Sequence, residues 1–123
     1  MNDFDFPLTE VIFMPENLEE VLAQLQVQNQ QLQSVLVQKQ TLIIQSKEIE
    51  KALEEISKED TQEVYRSVGP ILVKADKDKL RKELEEAKEE MELKVKTLEK
   101  QETRLKSLLK EGQEKFQALH QGG

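Results

Sequence analysis

Side chains that could carry out catalysis are few and scattered in this sequence. His120 is the only histidine, and it stands beside a terminal Gln-Gly-Gly run, so no histidine-based nucleophile or metal set can be assembled. Cysteine is absent, which excludes thiol catalysis, disulfides and cysteine-based zinc sites. No glycine-rich loop is present that could cradle a phosphate. These observations predict a protein that is not an enzyme and that binds no cofactor, no metal and no ATP.

Two acidic patterns resemble functional sites and have simpler interpretations. Asp76-Lys77-Asp78 begins like a calcium loop but lacks the glycine and the distal glutamate of an EF-hand, so we interpret it as a helix cap. Adjacent acids such as Glu89 and Glu90 occur within a helical pattern rich in lysine. A catalytic carboxylate pair needs a pocket that separates the two pKa values, which an exposed helix does not offer. We therefore interpret these acids as part of a solvated helix face.

The composition favours long exposed helices over a compact core. The 123 residues are 35% charged and only 4% aromatic, and aromatic side chains normally dominate compact cores. The net charge is −7 and no basic cluster is present, which argues against binding to a nucleic-acid backbone. The longest apolar run, residues 11–14, is too short to span a membrane, and no signal peptide is recognisable. We expect a cytoplasmic protein with no nucleic-acid and no membrane partner.

A heptad pattern of apolar residues runs through residues 18–56. With Leu18 at position a, nine of the twelve a and d positions are apolar, which is typical of a coiled-coil helix. Pro15 suits a first helical turn, and Asn17 followed by Glu20 resembles a capping box. We predict a helix over residues 16–58. The polar exceptions at a and d positions are Gln28, Lys39 and Ser46.

A second helical pattern of nearly the same length follows, and we predict a helix over residues 77–119. Its apolar residues recur every seven positions from Leu84 to Leu119. Equal lengths joined by a short break favour an antiparallel pair. Aligning positions whose numbers sum to about 137 places apolar residues against each other along most of the seam, as with Leu32 and Leu105. The mismatches are Lys39 near Leu98, Ser46 near Met91 and Leu25 near Gly112.

The break between the helices predicts a β-hairpin over residues 63–75. Residues 64–68 and 71–74 are rich in β-branched side chains, and Gly69-Pro70 between them suits a type II′ turn. A lone two-stranded hairpin is marginal in water, and apolar edge strands associate with other chains. We therefore predict that the hairpin mediates oligomer assembly. The residues assigned to this role are Val64, Tyr65, Val68, Gly69, Ile71, Leu72 and Val73.

The far end of the helix pair combines large apolar side chains with weak pairing. Gly112 occupies a seam position, and nine of the residues from 24 to 40 are glutamine or asparagine. We predict that this tip can separate and present its apolar side chains to a partner. The alternative is that these side chains only close the coiled coil. The candidate binding residues are Leu18, Val21, Leu22, Leu25, Leu109, Phe116 and Leu119.

The order helix, hairpin, helix, with VYRSVGPILVKAD at the bend, resembles the prefoldin family, in particular its archaeal β-type subunits. The resemblance covers about residues 16–120 and extends to the stretches VLVQKQ, KEIEKALEEI and KVKTLEKQE. It implies a hexamer of two α-type and four β-type subunits. It further implies an ATP-independent chaperone that holds non-native proteins with its arm tips and delivers them to a group II chaperonin.

The resemblance also implies a fold and a set of partners. The fold class is mainly α, a long antiparallel two-helix coiled coil with a β-hairpin at the bend, the hairpins assembling into a β-barrel platform in the oligomer. Residues 16–123 would form the prefoldin-like domain. The partners would be an α-type subunit, other copies of the chain, non-native client proteins and the chaperonin. The alternative function is a structural coiled-coil scaffold or spacer without client binding.

Residues 1–15 depart from the family pattern. They contain three of the four phenylalanines in the chain. We expect a flexible leader, whose role the residues leave open between a tail of little function, an extra client-contacting segment, and a strand that pairs elsewhere.

Overall fold

Two long helices enclose a β-hairpin in the computed structural model, which describes residues 17–122; the leader predicted over residues 1–15 lies outside the described residues. In chain order the elements are helix α1 (Leu18–Ile56), strand β1 (Val64–Val68), strand β2 (Ile71–Ala75) and helix α2 (Lys77–Gly122). Backbone contacts divide them into two units. Unit 1 holds the described residues up to Lys39 and from Thr97 onward, and unit 2 is Gln40–Lys96. In each unit a segment of α1 runs antiparallel to a segment of α2.

Asn17 caps the start of α1, whose described helical residues begin at Leu18. The predicted first residue of this helix, residue 16, lies outside the described residues. The Glu20 backbone N–H donates to Asn17 Oδ1 at 2.9 Å. The Asn17 side-chain amide donates to Glu20 Oε1 at 3.1 Å, so the two side chains form a capping pair as expected. The acidic residues in this first turn also interact favourably with the positive end of the helix dipole.

In the segment between α1 and β1, side chains donate hydrogen bonds to backbone carbonyl groups. The Thr61 hydroxyl donates to the Glu55 carbonyl at 2.7 Å. The Lys77 ammonium donates to the carbonyls of Thr61 at 2.9 Å and Lys58 at 3.3 Å. The Lys58 and Thr61 carbonyls lie just beyond the C-terminal end of α1, where the helix dipole favours the positive charge of Lys77.

Asp76 caps α2; the sequence left the cap open between Asp76 and Asp78. Its carboxylate accepts the Lys79 backbone N–H at 3.0 Å, and its carbonyl accepts the Leu80 N–H at 2.9 Å. The Asp76-Lys77-Asp78 run thus serves the start of a helix.

The predicted hairpin is confirmed, with a two-residue connection. Val68 pairs with Ile71, and the ladder runs to the pair Val64 and Ala75. Gly69 has φ +58°, the sign that the first central position of a type II′ turn requires. Proline cannot adopt the positive φ that a type I′ turn would require at Pro70, so the two residues suit the II′ geometry together.

The heptad positions form the buried seam of unit 1. Val21 is fully buried, and Leu32, Val35, Leu98 and Leu105 are at most 8% exposed. The predicted a and d stripe therefore faces the partner helix.

Polar seam positions are buried as well. Gln28 in unit 1 is 2% exposed and Ser46 in unit 2 is 8% exposed. Among the described residues, no helix has a stretch long and apolar enough to cross a membrane.

Candidate functional site

The β-hairpin carries much of the exposed apolar surface of the described residues. It contributes five of the ten large apolar side chains that are widely exposed there, and Leu72, at 72%, is the most exposed of them. The two-stranded sheet leaves one backbone edge of each strand without a strand neighbour in the described chain. Both features favour pairing with strands of other chains. The five side chains are Tyr65, Val68, Ile71, Leu72 and Val73.

Neither face of the hairpin is polar throughout. Side chains alternate between the faces, so the strand register places Val68, Ile71 and Val73 on one face, which we call face A. Tyr65 and Leu72 lie on the opposite face, face B. Both faces therefore expose large apolar groups in the isolated chain.

Polar contacts hold the base of the hairpin. On face B, the Tyr65 hydroxyl donates to Glu63 Oε2 at 2.8 Å and the Lys74 ammonium donates to Glu63 Oε1 at 3.3 Å. The hydrogen bond to Glu63 raises the pKa of Tyr65. On face A, Arg66 forms an ion pair with Glu83 of α2. The exposed apolar residues nearest the turn lie beyond these anchors.

All seven residues of the predicted tip cluster belong to unit 1, but they differ in exposure. Leu22 is 45% exposed, whereas Val21 is fully buried and can touch a partner only if the helices separate. Phe116 stacks on His120, with ring centroids 5.9 Å apart and planes 4° from parallel. The half-buried members are Leu18, Leu25, Leu109, Phe116 and Leu119.

Some exposed apolar residues lie outside the seam and were not predicted from the sequence. Val27 and Val37 of α1 are 43% and 65% exposed in unit 1, and Ile44 is 50% exposed in unit 2. They occupy outward heptad positions, and counting apolar residues outside the a, d and e positions would have identified them.

The predicted mismatch between Leu25 and Gly112 is a close contact. A Cβ atom on Gly112 would lie 2.6 Å from Leu25 Cδ2 and 3.4 Å from Leu25 Cγ. The missing side chain at Gly112 thus makes room for Leu25.

The predicted mismatch at Lys39 is an ion-paired cluster. Lys39 Nζ lies 2.6 Å from Glu102 Oε1, and Lys106 Nζ lies 2.7 Å from Glu102 Oε2. The Lys39 and Glu102 side chains are only 21% and 13% exposed. Hydrogen bonds from Lys106 and Lys39 lower the pKa of the Glu102 carboxyl. The hydrogen bond to Glu102 raises the pKa of Lys39.

Residues 17–122 contain no group of three or more histidine, cysteine or acidic side chains placed to hold a metal ion. A surface depression lined by Glu50, Leu53 and Lys88 is widely open to solvent. The chemistry that these surfaces support is the burial of apolar area against other proteins.

Replacing Gly112 by alanine tests the contact with Leu25. Helix propensity alone favours alanine by about 1 kcal/mol. We expect no such gain in the free energy of unfolding by urea, because the new Cβ would stand 2.6 Å from Leu25 Cδ2. In the Leu25→Ala background, where that atom is absent, Gly112→Ala should stabilise by about 1 kcal/mol. Equal gains in unfolding free energy in both backgrounds would show that Leu25 does not oppose a side chain at residue 112.

Acid should remove the contribution of Glu102. Its pKa is lowered in the folded state, so its stabilisation is complete above the ordinary value of 4.5 and is lost as the pH falls through the folded-state value. We expect the difference in unfolding free energy between the native chain and Glu102→Gln to be constant above about pH 5 and to shrink below about pH 4.5. Glu90→Gln is the control. It removes the exposed partner of Lys94, so its unfolding free energy should differ from that of the native chain by nearly zero at every pH. A Glu102→Gln difference unchanged down to about pH 2 would contradict this assignment.

Comparison with known proteins places the chain in a family. The family model for prefoldin subunits matches residues 19–123. The prefoldin β subunit of Archaeoglobus fulgidus is 42% identical over 107 residues, which cover 86% of this chain and 92% of that protein. That of Thermococcus onnurineus is 42% identical over 105 residues, covering 85% and 90%.

A solved structure shows the same architecture. The crystal structure of the prefoldin β subunit from Thermococcus strain KS-1 matches with a TM-score of 0.75 at 40% identity, over 86% of this chain and 94% of that chain. The prediction of two long antiparallel helices with a β-hairpin between them is thereby confirmed. On the match of its sequence and of its fold, this chain belongs to the prefoldin family and groups with the β subunits of archaea.

Proposed function

We propose that this chain is a subunit of an ATP-independent holding chaperone that captures unfolded proteins and delivers them to a group II chaperonin. The observation that carries the proposal is the uncovered hairpin, whose two faces expose five large apolar side chains in a chain built otherwise as a coiled coil. Such a surface requires other subunits. A hub of subunits that carries several helix pairs is suited to holding one flexible client at several points.

Assembly proceeds through the hairpin in this proposal. The free strand edges pair with hairpins of an α-type subunit and of other copies of this chain, and the sheets close into a β-barrel platform within a hexamer. Closure removes the edges that would otherwise aggregate. Val68, Ile71 and Val73 on face A supply apolar area for the interior of that platform.

Capture occurs at the other end of the helices. Leu22 offers an exposed apolar contact, and the half-buried Leu18 and Leu119 add area when the helix ends separate. The polar Gln28 at a d position weakens the closed seam of unit 1, since polar residues at a and d positions cost stability relative to apolar ones. Each contact is weak, but several tips on one platform bind the same client together.

The remaining features of the proposal rest on the membership of this chain in the prefoldin family. The partners are non-native client proteins and a group II chaperonin, and the setting is the cytoplasm. A spacer protein without client binding, the second candidate, would gain nothing from a hairpin with apolar groups on both faces.

Light scattering of an unfolding client tests the holding function. The chain, assembled with an α-type partner, should suppress client aggregation at stoichiometric amounts. Leu22→Gln should raise the amount needed for half suppression about threefold or more, because the loss is repeated at every copy of the tip. Val37→Gln is the matched control, since Val37 is also an exposed apolar residue of α1 in unit 1 but lies outside the predicted cluster.

Two results would contradict the proposal. No suppression by the assembled native protein would favour the spacer function. Equal loss of activity in Leu22→Gln and Val37→Gln would remove the special role of the tip cluster.

A further inference from the structure

We propose that the cluster of Lys39, Glu102 and Lys106 selects the heptad register between α1 and α2 in unit 1. Lys39 occupies an a position of the seam, where its ammonium lies 2.6 Å from the Glu102 carboxylate. The second carboxylate oxygen accepts from Lys106 at 2.7 Å. The inference concerns the pairing of the two helices and stands independently of the proposed chaperone function.

The seam around the cluster is apolar, so an ammonium group there needs a carboxylate. Val35, Leu98 and Leu105 are at most 7% exposed. The Lys39 side chain is 21% exposed and the Glu102 side chain 13%. A charge that is largely removed from water is tolerated only when it is paired with good geometry. The pairing observed here meets that condition in one alignment of the helices.

Alignments shifted by one heptad would break the pairing, because such a shift moves the helices by about 10 Å. The residues one heptad from Glu102 are Val95 and Leu109, which are both apolar. Those one heptad from Lys39 are Leu32 and Ser46. In either shifted register, Lys39 would face an aliphatic side chain. The leucine-rich positions repeat every seven residues and discriminate these registers poorly by themselves.

The connection to the hairpin does not forbid a shift. Residues 57–63 between α1 and β1 contain no proline and no glycine. If α1 continued through these seven residues, Lys39 would face Leu109 and Glu102 would face Ser46. The hydrogen bonds of Thr61 oppose this extension, but the one from its hydroxyl is exposed to solvent. The Thr61 hydrogen bonds are thus one determinant of the register, and the pair of Lys39 and Glu102, far from Thr61 in the sequence, is a second.

The absence of cysteine permits a direct test by disulfide trapping. The native register is reported by Leu25→Cys with Gly112→Cys, since Leu25 Cγ lies 3.4 Å from the Cβ position at residue 112. The shifted register is reported by Leu25→Cys with Leu119→Cys, which stand about 10 Å apart along the helix axis in the native alignment. Each pair is placed in the full chain and oxidised mildly. The fraction of cross-linked chain is then read by mass spectrometry.

Removal of the charges should allow both registers. With Lys39→Leu and Glu102→Leu added, the 25/119 pair should cross-link about tenfold or more above its level in the unaltered seam. The 25/112 pair should cross-link in both backgrounds. A matched control is Glu50→Leu with Lys88→Leu, which removes an ion pair between α1 and α2 within unit 2 and should leave the 25/119 pair uncross-linked.

A charge reversal keeps the test decisive if the apolar variant folds poorly. Lys39→Glu, Glu102→Lys and Lys106→Glu together preserve complementarity and should give only the 25/112 cross-link. The proposal is overturned if the helical apolar variant shows no 25/119 cross-link. It is also overturned if the charge-reversed chain shows as much 25/119 cross-link as the apolar variant.

Discussion

A two-stranded sheet has two faces and two edges, and the described part of this chain covers neither face fully. Tyr65 and Leu72 lie on one face and Val68, Ile71 and Val73 on the other, all widely exposed. Polar contacts through Glu63 and Glu83 anchor the base of the hairpin without covering these residues. In the function that we propose, strands from other chains bury this surface. The holding function that we propose depends on it, because only an assembly can bring several helix ends to one client.

The two helices are subject to a different constraint. They must pair in one register, although the apolar heptads of their seam repeat. Apolar heptads bring α1 and α2 together without strongly distinguishing neighbouring registers. We propose that polar and small residues of the seam make this distinction. Gly112 accepts Leu25 at close range, and Lys39 finds a carboxylate at Glu102. In our proposal, features that weaken a coiled coil in isolation thus define the pairing in unit 1.

Much of the fold could be predicted from local patterns. Heptads, the Gly69-Pro70 turn and the Asp76 cap are each encoded within a few residues, so the helices and the hairpin were recognised from the sequence. The partners of Lys39 and Gly112 were not, because they depend on side chains some 60 to 90 positions away in the sequence. Exposure of individual tip residues was equally inaccessible, as the burial of Val21 shows. The expectation that the chain is not an enzyme is confirmed by its membership of a non-enzymatic chaperone family.

Native mass measurement tests the central claim most directly. The account predicts that the chain mixed with an α-type subunit forms one oligomer containing several copies of it. Val68→Asp with Ile71→Asp should abolish that oligomer while helical circular dichroism persists, because two carboxylates would enter face A. Arg81→Asp, which changes charge on α2 in the same unit, is the control expected to assemble normally. An oligomer of unchanged mass in the hairpin variant would contradict the account.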